Sequence, residues 1–125
     1  MAEITFNGQK SLKSIAKSWS QKFPHLWIRF YDSTGKHCPD WSVTHGSIRG
    51  KKDAEELSTN ANLNVGTFEA RYNNAFGAKV EIMYTKNNRS YHSLEKANAM
   101  TLSEYNAYAK TLGADEILKT HPEWF

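Results

Sequence analysis

The sequence has a single cysteine and three prolines among 125 residues, and it contains no long hydrophobic run. One cysteine, Cys38, excludes a framework of internal disulfides. No apolar stretch approaches the roughly 18 residues that a membrane-spanning helix needs, and the N-terminus lacks the basic, apolar and small-residue regions of a secretory signal. We therefore expect a soluble, cytoplasmic protein with no membrane partner.

The composition is that of a folded chain. Apolar residues make up 39% of the sequence, aromatic residues 13% and charged residues 23%, which is too hydrophobic and too aromatic for a disordered protein. The length fits one domain with one core. The sequence therefore predicts a single domain over residues 1–125.

Charge is distributed unevenly along the chain. Residues 1–52 contain nine Lys or Arg against three acids, a net charge of +6, whereas residues 53–125 contain seven bases against ten acids, a net charge of −3. Either the first half faces an anionic partner or the two halves attract each other on folding. The sequence leaves both interpretations open.

Apolar residues recur every three or four positions in two segments, which is the spacing of one helix face. Pro24 follows the first segment and Gly77 the second, and both residue types end helices. The stripes are Leu12, Ile15, Ala16, Trp19 and Phe23, and then Val65, Phe68, Tyr72, Ala75 and Phe76.

Short strands are predicted on both sides of each helix, from alternating apolar residues. They cover residues 3–6, 26–31, 55–58 and 78–84. Residues 36–43, interrupted by Pro39, and residues 90–94 are candidate return strands. A further helix begins at Thr101, which forms a capping-box sequence with Glu104.

The two halves match each other when the chain is shifted. A shift of 53 residues superposes the helix stripes without a gap, and a shift of 52 superposes residues 26–30 on residues 78–82. With another gap, Thr44 to Ile48 is similar to Thr101 to Tyr105. The match predicts two strand–helix–strand pseudo-repeats, residues 1–52 and 53–125. Amphipathic patterning alone is the alternative source of part of this match.

Two such units predict an α+β fold. We expect duplicated βαβ units in one antiparallel sheet with the helices on one face, a ferredoxin-like arrangement with right-handed crossovers and an extra C-terminal helix. A ubiquitin-like β-grasp, in which a curled sheet embraces one helix, is the alternative.

Short motifs connect the chain to other sequences. The pairs Val65-Gly66 and Phe76-Gly77, together with Thr44 and Ser47-Ile48-Arg49, resemble those of small uncharacterised bacterial proteins that contain two strand–helix–strand units. The resemblance implies duplication and implies no activity.

Metal-ligating and nucleophilic residues are few. His37, Cys38, Asp40 and His45 lie within nine residues, but their spacing does not fit paired zinc ligands, and an exposed loop explains them without a metal. Cys38 as a nucleophile requires a base such as His45 or His92 beside it. We expect no metal, no cofactor and no catalytic residue.

Carboxylate pairs and phosphate-binding loops give no signal either. The adjacent carboxylates Glu55-Glu56 and Asp115-Glu116 are interpreted as solvated, because neighbouring side chains point to different sides. The seven glycines are scattered, so the sequence has no glycine-rich phosphate loop.

Basic and aromatic residues are the best candidates for a binding surface. Lysines share the polar face of the first helix, and alternate residues of the second strand lie opposite its apolar side, where exposed rings can stack on bases. If residues 86–125 cover that face, the same rings form a second core. The candidate binding residues are Lys10, Lys13, Lys17, Trp27, Arg29, Tyr31, Arg49, Lys51 and Lys52.

Three classes of function follow from these patterns. The first is a protein-interaction or regulatory module with a protein partner. The alternative is a nucleic-acid-binding domain that uses the basic first half, and an enzyme of unrecognised type is the third. The terminal Trp124-Phe125 pair predicts docking of the tail, either on the domain itself or on a partner.

Overall fold

The computed structural model describes residues 4–50, 57–92 and 95–125. Within these ranges the chain is a small α+β protein with two antiparallel sheets and four α-helices. The strands are β1 (Ile4–Phe6), β2 (Trp27–Phe30), β3 (Leu57–Thr59), β4 (Val80–Lys86) and β5 (Arg89–His92). The helices are α1 (Leu12–Lys22), α2 (Val65–Phe76), α3 (Leu102–Thr111) and α4 (Ile117–Thr120). Across the described ranges, no helix has the length and apolarity to cross a membrane.

The three long helices begin and end where local chemistry requires. The Ser11 hydroxyl accepts the Ser14 N–H at 3.1 Å at the start of α1. Gly77 ends α2 in the left-handed conformation, with φ of 65°. The predicted capping box at α3 is confirmed, because the Thr101 hydroxyl and the Glu104 carboxylate each accept the other residue's backbone N–H.

The strands of the two halves pair with each other. β1 pairs antiparallel with β3 in one sheet, and β2 pairs antiparallel with β4 in the other. The second sheet continues to β5 through a tight turn at Asn87 and Asn88, whose φ angles of 53° and 64° suit a two-residue hairpin. The predicted return strand is thus observed as β5, and residues 93–94 of that prediction lie outside the described residues.

The ferredoxin-like arrangement is not confirmed, and neither is the β-grasp alternative. Each requires one sheet, whereas the described strands are divided between two. Alternating apolar residues determine which face of a strand is buried. They do not determine which strand lies beside it, because every strand offers the same backbone donors and acceptors. Here each strand of the first half pairs with a strand of the second.

Both pairings between a strand of the first half and a strand of the second include a residue pair that the sequence shift equates. Thr5 faces Ser58 in the first sheet, and these two residues coincide under the shift of 53. Arg29 faces Glu81 in the second sheet, and they coincide under the shift of 52.

The two halves also share a pattern of backbone hydrogen bonds at the start of α1 and of α2. In the first half, Leu12 N donates to Val43 O at 2.9 Å and His45 N to Lys10 O at 2.8 Å. The second half repeats this exchange, because Val65 N donates to Met100 O and Leu102 N to Leu63 O, both at 2.9 Å. In the first half these bonds join the start of α1 to residues 43–45, and in the second half they join the start of α2 to the start of α3.

The predicted return strand over residues 36–43 is wrong. Only an isolated bridge between Tyr31 and His37 is present, supported by the Cys38 N–H donating to Phe30 O at 2.9 Å. The chain leaves β2 after this contact because Pro39 has no N–H to continue a ladder.

The main core lies between the helices and the two sheets. Trp19 of α1 packs against Phe68 of α2, with ring centroids 5.1 Å apart, and Phe6 of β1 contacts both rings. Aromatic side chains therefore join the two halves. The apolar face of β2 closes this core, since Ile28 and Phe30 are fully buried.

Candidate binding groove

The outer face of β2 carries a second apolar cluster. Trp27 packs there with Met83 of β4 and Ile117 of α4. Its indole Nε1 donates to Thr85 Oγ1 at 2.9 Å, which fixes the orientation of the ring and satisfies its one donor. The Ile117 N–H donates to Pro24 O at 2.9 Å, and this bond anchors α4 beside the cluster. Residues of the C-terminal region thus cover part of the outer face.

Two further tryptophans contact Trp27 from segments outside the α-helices and strands. Trp41 lies in the connection after β2, with its ring centroid 6.3 Å from that of Trp27 and an interplanar angle of 54°. Trp124 lies in the C-terminal tail, 5.4 Å from Trp27 and inclined by 64°. The Lys13 N–H donates to Trp41 O at 2.8 Å, which attaches the connection to α1.

The C-terminal tail is positioned by His121. Its Nε2 lies 3.0 Å from Asp115 Oδ2, and its ring stacks on Trp124 at 4.1 Å with an angle of 12°. Phe125 packs against Trp41, with ring centroids 5.5 Å apart. The tail therefore docks on its own domain.

The connection after β2, the C-terminal tail and the outer face of β2 line an open groove of about 540 Å³. We define the tryptophan groove by the three indoles and the three charged side chains that line it. Its members are Lys13, Trp27, Asp40, Trp41, Glu123 and Trp124. Trp27 is almost wholly buried, whereas Trp41 and Trp124 are half-buried and offer ring surface to a ligand. His37, Ser42 and Ser90 add polar groups to the lining.

The protonation states of the lining side chains follow from their contacts. Oδ1 of Asp40 accepts the Ser42 hydroxyl at 2.5 Å and the Ser42 N–H at 3.0 Å, and these bonds lower the pKa of Asp40. Partial burial, with a smaller contribution from Arg29, lowers the pKa of His37. At neutral pH the groove therefore contains an ionised Asp40 and a neutral His37.

The three predicted lysines differ in their surroundings. Lys13 lines the groove, and Lys17 is exposed on α1. The Lys10 ammonium donates to Thr5 O at 3.2 Å and is thereby engaged with β1. Of these three lysines, Lys13 is the one that lines the groove.

Arg29 and Tyr31 lie on the outer face of β2, as the alternation predicts. The Arg29 guanidinium is 5.5 Å from the Trp27 ring centre, in a cation–π contact. The Tyr31 hydroxyl donates to the Glu81 carboxylate, and Lys79 Nζ lies 5.1 Å from the Tyr31 ring. Burial and then this hydrogen bond raise the pKa of Tyr31.

The remaining predicted binding residues lie elsewhere. The guanidinium of Arg49 is 5.5 Å from the Phe76 ring at the edge of the main core. Lys51 and Lys52 are outside the described residues, as are Glu55 and Glu56.

The residues considered as metal ligands do not form a cluster. His45 is fully buried in the main core, and half-buried Cys38 keeps its thiol proton because burial raises its pKa. In the described part of the chain, no group of three or more His, Cys, Asp or Glu side chains is placed to hold a metal. Asp115 and Glu116 pair with His121 and Lys119.

Sequence reasoning included Lys13 and Trp27 among the candidates but did not group Trp41 or Trp124 with them. Both lie in segments without helical or strand periodicity, so no pattern places them near β2. The available signal was compositional, because four tryptophans in 125 residues is a high content and two lie in such segments.

No family model matches the chain, and comparison with curated proteins and with solved structures gave no match. The groove's geometry is therefore the basis for a functional argument.

Proposed function

We propose that this protein is a protein-interaction module that binds its partner in the tryptophan groove. One observation carries the proposal: Trp27, Trp41 and Trp124, from three separate parts of the chain, converge on one groove in which two of the rings are half-buried. Tryptophan is enriched at the energetic centres of protein interfaces.

The groove has the features that a peptide-binding site needs. Its aromatic floor is held rigidly, since Trp27 is hydrogen-bonded to Thr85 and backed by Met83 and Ile117. Its rim is polar and charged, which provides orientation. Binding to a preformed site loses less conformational entropy than binding to a mobile one. The proposal assumes the cytoplasmic location that the sequence predicts.

Selection from a library of displayed peptides tests this function. We expect peptides selected on the wild-type protein to bind with micromolar Kd and to lose at least about tenfold in affinity to the Trp41→Ala variant. Lys17→Ala, on the same helix as Lys13 but outside the groove, is the control that should bind unchanged. Failure to select any peptide, or equal binding to Trp41→Ala, would argue against the proposal.

Nucleic-acid binding is the second candidate function. It is favoured by the presence of Lys13 beside tryptophan rings in one groove, since rings stack on bases while lysines contact phosphates. The carboxylates of Asp40 and Glu123 in the same lining repel phosphate. Titration of labelled single-stranded DNA and RNA at several salt concentrations tests it, because phosphate binding weakens steeply with salt.

We also propose that the two halves are copies of one strand–helix–strand unit, related by a two-fold axis. The pairs Thr5–Ser58 and Arg29–Glu81 support this, together with the repeated hydrogen bonds at both helix starts. Each sheet contains strands from both halves. Fragments 1–52 and 53–125 should therefore be unfolded when separate and regain circular dichroism when mixed; a half that folds alone would contradict this.

A further inference from the structure

The three indoles of the tryptophan groove line one volume and are inclined to one another. Trp41 is tilted by 54° and Trp124 by 64° from the plane of Trp27, which forms the floor. The face of an aromatic ring carries negative electrostatic potential. Inclined aromatic walls of this kind recognise quaternary ammonium groups, because several ring faces contact one cation at once.

The charges of the lining have the sign that a cation requires. Two carboxylates, Asp40 and Glu123, stand against one ammonium, Lys13. Both hydrogen bonds from Ser42 go to Oδ1 of Asp40, and they keep this carboxylate ionised. Partial burial, and then the charge of Arg29, lower the pKa of His37. Among the charged side chains that line the groove, carboxylates therefore outnumber ammonium groups by two to one.

The Trp27 ring already makes one cation–π contact inside the protein. The Arg29 guanidinium carbon lies 5.5 Å from the centre of the Trp27 ring. Arg29 is on β2 and is not part of the groove lining, so Trp41 and Trp124 retain their surface for a ligand.

From these observations we infer that the tryptophan groove binds a methylated ammonium group, such as that of a trimethylated lysine or of choline. The inference rests on the proposed function, to which it adds the chemistry of the partner. Methylation favours this site because a plain ammonium is more strongly hydrated and therefore loses more hydration when it is placed among the three indole rings of the lining. A trimethylammonium group fills part of the 540 Å³, and the remainder accommodates the chain that carries it.

Choline and its uncharged analogue 3,3-dimethyl-1-butanol separate cation recognition from simple apolar binding. The two molecules have the same shape and differ in the positive charge. We expect choline to shift the indole N–H resonances of Trp41 and Trp124 and to bind at least about tenfold more tightly than the alcohol. The resonance of Trp19, fully buried in the main core, is the internal control and should not move. Equal binding of the two molecules would overturn the inference.

Three substitutions test the charge of the site without removing an aromatic ring. Asp40→Asn should weaken choline binding several-fold, because it removes a carboxylate from the lining. Lys13→Ala should strengthen binding, since it removes the ammonium, and Lys17→Ala should leave it unchanged. A site built for an anion would use the Lys13 ammonium to bind its ligand. If Lys13→Ala weakens the binding of choline, the inference is therefore wrong.

Peptide probes identify the source of the ammonium group and keep the two proposals distinguishable. A peptide containing trimethyl-lysine is compared with its unmethylated form and with choline alone. Tighter binding of the trimethylated peptide than of choline supports a protein partner, and equal binding supports a small molecule with the same head group. If all methylated probes fail while peptides selected from a library bind, the inference is wrong and the proposed function stands. If both fail, both are wrong.

Discussion

Nε2 of His45 lies 2.7 Å from the hydroxyl oxygen of Tyr72, at the centre of the main core. Both side chains are fully buried, and the rings of Phe6 and Phe76 contact them. Burial raises the pKa of Tyr72, so the phenol keeps its proton, and one hydrogen bond joins it to the neutral imidazole. Burial, with a contribution from Arg49, lowers the pKa of His45 to about 4. The core therefore contains a histidine that must remain uncharged.

This histidine makes the fold sensitive to acid. The pKa of His45 is about 4 in the folded protein and about 6.5 in an unfolded chain, so the unfolded state binds more protons between these values. His45 therefore does not lower the free energy of unfolding above pH 6.5, and it lowers this free energy progressively as the pH falls from 6.5 towards 4. We expect the free energy of unfolding to fall by about 2 to 3 kcal/mol from this group between pH 7 and 4.5. Urea unfolding at the two pH values measures it.

The His45→Gln variant isolates this effect from the titration of carboxylates. Glutamine retains a polar group beside Tyr72 but does not titrate in this range. We expect the variant to be less stable than the wild type at pH 7 and to lose about 2 kcal/mol less on acidification. An identical pH dependence in both proteins would show that His45 is not the acid-sensitive group.

The helix caps differ in a way that stability measurements can detect. The Thr101 hydroxyl accepts the Glu104 N–H at 3.1 Å, whereas the Asn64 side chain makes no such bond at the start of α2. Thr101→Ala should lower the free energy of unfolding by about 1 kcal/mol, and Asn64→Ala by a few tenths, on the order of 0.3 kcal/mol. Thr101→Ser keeps the hydroxyl and should restore most of the loss. Equal losses for Thr101→Ala and Asn64→Ala would contradict this reasoning.

A close backbone crossing requires glycine at position 46. Gly46 N donates to Gly8 O at 3.0 Å, and a Cβ atom at Gly46 would lie 2.9 Å from that same oxygen. The Gly8 oxygen belongs to the backbone and cannot rotate away, so Gly46→Ala must push the two crossing segments apart. We expect a loss of about 1 to 3 kcal/mol in the free energy of unfolding. In Gly8→Ala the nearest atom is the end of the Arg49 side chain, which can move, so a smaller loss is expected. Urea unfolding with the reverse order would refute this explanation.

Sequence patterns predict features whose cause is local. The bounds of α1, α2 and α3 depend on residues within one turn of each end, such as Gly77 and Thr101, so composition and spacing locate them. The partner of each strand depends on distant segments. Ile28 and Ile82 face each other across the second sheet, but their alternation fits any neighbour equally well.

The candidate site shows the same limit. Trp27 is predicted on the outer face of β2 because Ile28, next to it in a strand, faces the core. Its neighbours Trp41 and Trp124 arrive through an irregular connection and the chain terminus, which have no period to interpret. Their positions result from tertiary contacts such as Lys13 N to Trp41 O and His121 stacked on Trp124.

The docked tail should contribute measurably to thermal stability. Trp124 packs on Trp27 and His121, and Phe125 packs on Trp41, so deleting residues 121–125 exposes apolar surface on both sides of the groove. We expect a loss of about 1 to 3 kcal/mol, which in a domain of this size lowers the Tm by roughly 3 to 12 °C. Trp124→Ala should account for a large part of this decrease. Glu123→Ala, an exposed position in the same tail, should leave the Tm within about 1 °C, since such substitutions change stability little. A deletion that leaves the Tm unchanged would mean that these ring contacts do not stabilise the free protein, and the tail would then be available to a partner.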